Sequence, residues 1–139
     1  MNGLKLKRFS AGVCIDSGAR YEVAYPSGVS HFLEKLAFGV TSKFESKDAI
    51  MGQLEKYGGI CDCQSTRDTF LYAASVDSRG LDATVEILGD VVLRPQITDD
   101  ELKMVFYLQF KKNLSLFAKM VFCYQNCGKK IVLVIEKNF

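Results

Sequence analysis

Two short apolar runs near the middle of the chain restrict its fold more than any other feature. They are "ICDCQS", residues 60–65, and "TFLYAASV", residues 69–76, and only three residues separate them. Parallel strands need a crossover of about a dozen residues or more, so two strands this close can pair only as an antiparallel hairpin. In the first run Cys61 and Cys63 alternate with Ile60, Asp62 and Gln64, as is typical of a strand with one buried face.

Helical patterns precede the hairpin. Apolar residues first recur at the i, i+3, i+4, i+7 and i+8 spacing of a helix that faces a core. These residues are Val29, Phe32, Leu33, Leu36 and Ala37. A second helix is predicted over residues 46–57, with Ser46 as its N-cap and Gly58 at its end. A short apolar run at residues 11–16 predicts a strand before both helices, and "DSGARYE" predicts a turn after it.

Two further helices are predicted after the hairpin. The third ends before Pro95, and its inward positions are Leu81, Val85, Leu88 and Val92. The fourth begins at a capping box formed by Thr98 and Glu101, but helical phase is lost from about Val105. Only residues 130–136 in the remainder favour a strand. This order predicts an α+β fold in which helices cover one face of a mainly antiparallel sheet.

Composition and charge exclude several classes of protein. The 139 residues are 48% apolar and 24% charged, and no apolar run approaches the roughly 20 residues of a membrane-spanning helix. Residues 1–103 carry a net charge of −3 and residues 104–139 a net charge of +5. The basic residues of this tail are scattered lysines without arginine, so we expect no nucleic-acid partner. Five cysteines are too sparse for a disulfide scaffold and favour structural thiols in a reducing compartment.

The only histidine of the chain, His31, lies in "SHFLEKLAF", residues 30–38. The segment resembles the inverted zinc motif H-x-x-E-H, with Glu34 in place but Lys35 at the second histidine position. A lysine ammonium has no lone pair to donate to a metal until it loses a proton, and the reference pKa of lysine is about 10.4. We therefore expect a partly buried helical histidine satisfied by hydrogen bonds. Glu34 is expected to be a solvated or ion-paired carboxylate rather than a general base.

Longer stretches carry a resemblance to a known family. "DSGARYE", "SGVSHFLEKLAF" and the continuous run from "SKDAIMGQLEKYGGICDCQ" to "LRPQITDDEL" closely resemble the N-terminal domain of processing-peptidase alpha subunits. These proteins belong to the pitrilysin-like metallopeptidases. The resemblance covers about residues 11–102. It implies a partial N-terminal domain over residues 1–103, followed by a divergent tail rich in lysine and aromatic residues over residues 104–139.

The resemblance also implies a function. In this family the catalytic beta subunit keeps both histidines and the glutamate, whereas the alpha subunit has a degenerate motif, here His31, Glu34 and Lys35. The third zinc-ligand position corresponds to about Lys111. The chain is thus expected to be a non-catalytic alpha-type subunit without a cofactor, acting in the mitochondrial matrix. Its expected partners are a zinc-bearing beta-type subunit and presequence peptides, and no substrate-binding residue is assigned.

Two other functions stay open. Related inactive domains are core subunits of the respiratory ubiquinol-cytochrome c reductase, which would make the chain a structural protein. An active zinc peptidase is the third possibility, and Lys35 argues against it. A partial domain would also expose a sheet edge, which is a liability for aggregation.

Overall fold

The computed structural model of the chain describes residues 7–24, 27–109 and 131–138. Four strands and four α-helices lie within these ranges. They are β1 (Arg8–Ile15), α1 (Val29–Leu36), α2 (Lys47–Glu55), β2 (Ile60–Ser65), β3 (Phe70–Asp77), α3 (Leu81–Leu93), α4 (Asp99–Gln109) and β4 (Ile131–Asn138). Short 3-10 helices follow β1 at Ala19–Ala24 and β3 at Ser78–Gly80. The predicted order of strands and helices is confirmed.

The four strands form one sheet in the order β2-β3-β1-β4, and every neighbouring pair is antiparallel. The predicted hairpin is therefore confirmed as β2 and β3. Its register places Cys63 opposite Tyr72, which in turn lies opposite Val13 of β1. Because directly paired residues share a face of a sheet, this row of three side chains points toward the same side.

That side of the sheet is buried beneath the helices. Alternate residues of β3 are buried, from Phe70 to Val76, and α1, α2 and α3 all contact the strands. The rings of Phe38 and Phe70 pack against Tyr72 with centroids 5.8 and 5.2 Å away. Ile50 and Leu54 of α2 and Ile87 and Leu88 of α3 complete this core. The α+β fold with helices on one face is confirmed.

The predicted N-terminal caps of α2 and α4 are also confirmed. Ser46 Oγ accepts a hydrogen bond from the backbone N–H of Ala49 at 3.2 Å, which caps α2. Gly58 follows this helix with a φ of 60°, a conformation that glycine adopts without strain. In the capping box of α4, Thr98 Oγ1 accepts from the Glu101 N–H at 3.3 Å, and Glu101 Oε2 accepts from the Thr98 N–H at 3.2 Å.

Two details differ from the sequence-based expectations. Helix α4 does not lose its phase at Val105 but continues to Gln109. Val105 packs against a small apolar cluster formed by Val29 and Phe32 of α1, so a tertiary contact supports the added turn. The segment after β1 forms a 3-10 helix rather than a simple turn. Among the described residues, no helix is long and apolar enough to cross a membrane.

Candidate functional site

Helix α1 carries His31, Glu34 and Lys35, the residues of the predicted motif, and a carboxylate six positions before its N-cap residue caps it. Gly28 at the N-cap has no side chain to offer, and Glu22 of the preceding 3-10 helix takes that role. Its Oε2 accepts from the Gly28 N–H at 2.8 Å and its Oε1 from the Ser30 N–H at 2.7 Å. A carboxylate at this end also interacts favourably with the helix dipole. The sequence offered no signal for this contact beyond an acidic residue shortly before a helix.

A second carboxylate, Glu34, attaches α1 to the edge of the sheet. Its Oε2 accepts from the backbone N–H of Ser65 at 3.0 Å and from the Ser65 hydroxyl at 2.8 Å. Ser65 is the last residue of β2, 31 positions along the chain from Glu34. Only 19% of the Glu34 side chain is exposed. The sequence analysis did not identify Ser65, because a serine at a strand end has no distinctive pattern.

The other two residues of the motif lie on the outer face of α1. His31 Nδ1 lies 3.7 Å from Glu34 Oε2, and Lys35 Nζ lies 3.7 Å from Glu34 Oε1. About half of each side chain is exposed, 53% for His31 and 46% for Lys35. The expectation that His31 is partly buried is therefore wrong, because its position on α1 faces away from the core. The structure therefore brings all three motif residues together, with Glu34 at the centre.

This environment holds Glu34 in its ionised form. Burial raises the pKa of the Glu34 carboxyl. The two hydrogen bonds from Ser65 and the nearby His31 and Lys35 lower this pKa by more than burial raises it, so the pKa lies below its ordinary value. Of the two states expected for Glu34, ion-paired and solvated, the structure shows the ion-paired one. The carboxylate is largely withdrawn from solvent.

The residues present do not fit a zinc ion. A catalytic zinc site needs three protein ligands, an open position for water and a base near that water. A lysine ammonium has no lone pair to donate, which makes the residue at position 35 a poor replacement for a histidine ligand. Both donors of Ser65 already occupy Glu34 Oε2. Lys111, at the expected third ligand position, lies outside the described residues. Within residues 7–24, 27–109 and 131–138, no group of three or more histidine, cysteine or acidic side chains is arranged to hold a metal.

The two cysteines of β2 are free thiols. Cys63 lies in the core and Cys61 is half-buried, with its Sγ 3.7 Å from the Met51 sulfur. Burial raises the pKa of Cys61 to about 11 and that of Cys63 well above the ordinary thiol value. Both are therefore protonated at neutral pH and poorly nucleophilic. Cys123 and Cys127 lie outside the described residues.

Comparison with known proteins identifies the family. The profile described as Insulinase (Peptidase family M16) matches residues 5–121, and the chain belongs to this family. A protease from Helicobacter pylori has the same fold, with a TM-score of 0.67 and 22% identity, over 73% of this chain and 24% of that protein. The predicted pitrilysin-like fold is thereby confirmed. The predicted division into a partial domain over residues 1–103 and a tail over residues 104–139 stays a prediction.

The chain is similar to curated mitochondrial proteins of two kinds. The mitochondrial-processing peptidase subunit alpha of Homo sapiens is 59% identical over 95 residues, and that of Caenorhabditis elegans is 43% identical over 94 residues. Each match covers 68% of this chain and 18% of the relative. Subunit 1 of the mitochondrial cytochrome b-c1 complex of Mus musculus is 31% identical over 118 residues, 83% of this chain and 24% of that protein. The chain thus spans about a fifth of the length of these relatives.

Proposed function

We propose that this chain is the N-terminal part of a non-catalytic alpha-type subunit of the mitochondrial processing peptidase. It acts in the mitochondrial matrix beside a beta-type subunit, and it assists in recognising and removing presequences of imported proteins. The observation that carries the proposal is the 59% identity to the human alpha subunit over 95 residues, 68% of this chain. No residue of the chain is assigned to presequence binding.

The chemistry of α1 supports a non-catalytic role. In a zinc peptidase the glutamate of the motif must be available to take a proton from the metal-bound water. Here Glu34 instead accepts two hydrogen bonds from Ser65 and lies between His31 and Lys35. Its carboxylate is used to attach a helix to a strand. The zinc that cleaves the presequence is held by the beta-type partner in this proposal.

A structural role in the respiratory chain is the second candidate. It is favoured by the 31% identity to subunit 1 of the cytochrome b-c1 complex, which extends over more of this chain than the processing-peptidase matches do. The lower identity places this candidate behind the first. In this role the chain would have no peptide substrate.

Co-purification distinguishes the two candidates. The full chain is expressed with an affinity tag in mitochondria, and the bound proteins are identified by mass spectrometry. We expect a beta-type processing subunit to be recovered, and the recovered pair to cleave a synthetic presequence peptide. Recovery of respiratory-complex subunits without the beta-type subunit would overturn the proposal in favour of the second candidate.

Substitutions in the motif test whether this chain contributes to the chemistry. His31→Ala and Lys35→Ala change side chains that are about half exposed, so the fold should tolerate both. We expect the pair to cleave presequence peptide at an unchanged kcat with either variant. A loss of about a hundredfold or more in kcat, the loss typical of a group that takes part in proton transfer, would show that the motif is catalytic.

A further inference from the structure

Strand β2 lies at one edge of the described sheet, with β3 as its neighbour on the other side. In an antiparallel ladder, successive residues direct their backbone groups alternately toward and away from the neighbouring strand. Residues two apart therefore point the same way. Edge strands expose such a row of N–H and C=O groups, to which a strand of another molecule can bind.

Two successive N–H groups of this row are already occupied by carboxylates. The Ser65 N–H donates to Glu34 Oε2 at 3.0 Å, and the Cys63 N–H donates to Asp62 Oδ1 at 2.9 Å. Neither acceptor belongs to the backbone of β3. One carboxylate comes from α1, which packs against β2, and the other comes from β2 itself. Gln64 Nε2 donates to the second oxygen of Asp62 at 3.2 Å and holds that side chain in place.

We propose that Glu34 and Asp62 close the β2 edge against pairing with a second copy of this chain. The rest of the strand would favour such pairing, because Ile60 is 67% exposed and Asp62 is the only charged residue of β2. A symmetric β2-to-β2 contact would use the same N–H groups in both copies, as an isologous interface does. An incoming carbonyl must first displace a carboxylate, whose charge-assisted hydrogen bond is the stronger of the two.

The proposal gives Glu34 a role that does not depend on catalysis or on any partner subunit. Asp62 provides the cleaner test, because its side chain is exposed and contacts only β2 residues among its hydrogen-bond partners. Removal of the Asp62 side chain takes away the acceptor of the Cys63 N–H and leaves the contact of α1 with β2 through Glu34 in place. Asparagine at the same position keeps an oxygen that can accept from this N–H.

The experiment compares Asp62→Ala with Asp62→Asn and with the parent chain by sedimentation equilibrium. We expect Asp62→Ala to lower the dimer Kd about tenfold, since one freed N–H in each copy gains a backbone partner. Asp62→Asn should stay within about threefold of the parent value because its hydrogen bond is retained. Glu55→Ala, which removes an exposed carboxylate from α2, controls for the loss of charge.

Hydrogen exchange shows which surface pairs. The amides of residues 60–65 should become more protected in the Asp62→Ala dimer than in the parent chain. Equal association of all four proteins would overturn the proposal, as would a dimer protected elsewhere. If Asp62→Ala does not fold, the same comparison is made with Glu34→Ala, which opens the Ser65 N–H. The absence of any gain in association for the folded variant would then reject the proposal.

Discussion

The hydrogen bonds of Glu34 can be tested by replacing it with glutamine. Glu34→Gln keeps the length of the side chain but removes its charge, and both Ser65 donors currently share one carboxylate oxygen. Hydrogen bonds to a charged group contribute about 1.5 to 3 kcal/mol, and neutral ones about 1 kcal/mol. Because the glutamine oxygen can still accept from Ser65, we expect the free energy of unfolding to fall by about 1 to 2 kcal/mol at neutral pH.

The pH dependence follows from the lowered pKa of Glu34. A carboxyl whose folded-state pKa lies below its unfolded value adds stability above the unfolded pKa, and this stability disappears as the pH falls through the folded-state pKa. Glutamine does not titrate. The parent chain should therefore be more stable than Glu34→Gln at neutral pH, and the two free energies should converge in acid.

Urea unfolding followed by circular dichroism measures both effects, at about pH 7 and at about pH 3.5, on either side of the unfolded-state pKa. Glu55→Gln is the matched control, since it changes an exposed carboxylate on α2. This control should change the free energy by less than about 0.5 kcal/mol. If Glu34→Gln is as stable as the parent chain at pH 7, the charge of Glu34 does not strengthen its hydrogen bonds to Ser65. A difference in the free energy of unfolding that grows in acid would contradict the lowered pKa of Glu34.

Further predictions concern one buried carboxylate and two glycines. Asp90→Ala should lower the free energy of unfolding by about 2 to 3 kcal/mol in a denaturant titration. The reason is that this fully buried carboxylate accepts hydrogen bonds from Ser42 Oγ, the Lys43 N–H and Arg94 Nε. Asp82→Ala, which changes an exposed carboxylate on the same helix, should cost far less. Gly18→Ala should cost about 1 to 3 kcal/mol in the same assay, because its Cβ would lie 2.5 Å from Arg67 and Asp68 backbone atoms. Gly52→Ala in α2 meets nothing within 4 Å and should instead stabilise the chain by about 0.5 to 1 kcal/mol. Equal effects of the two glycine changes would contradict this account.

Helix caps and the hairpin could be predicted from sequence because the residues that determine them are close along the chain. Ser46 caps α2 through a residue three positions away, and Thr98 and Glu101 do the same for α4. The short separation of the two strands limited them to a hairpin, which the register of Cys63 with Tyr72 bears out. In each case the partners are close in sequence, so pattern and spacing carry the information.

Contacts between distant residues could not be predicted in this way. Ser65 reaches Glu34 only because α1 packs against β2, and Glu101 accepts from the Val40 N–H at 3.0 Å across 61 positions. The continuation of α4 past Val105 likewise depends on its packing against Phe32. The sequence placed His31, Glu34 and Lys35 on one helix, but the attachment of Glu34 to Ser65 depends on tertiary geometry.

Metal binding to the full chain tests whether α1 still forms a zinc site. The parent chain and His31→Ala are dialysed against a small excess of zinc, washed through a weak chelator, and analysed for zinc per chain. Because a lysine stands at the second histidine position and Glu34 is held by Ser65, we predict the same zinc content for both proteins. One zinc per parent chain that is lost in His31→Ala would show that the motif still forms a metal site, and would contradict the account.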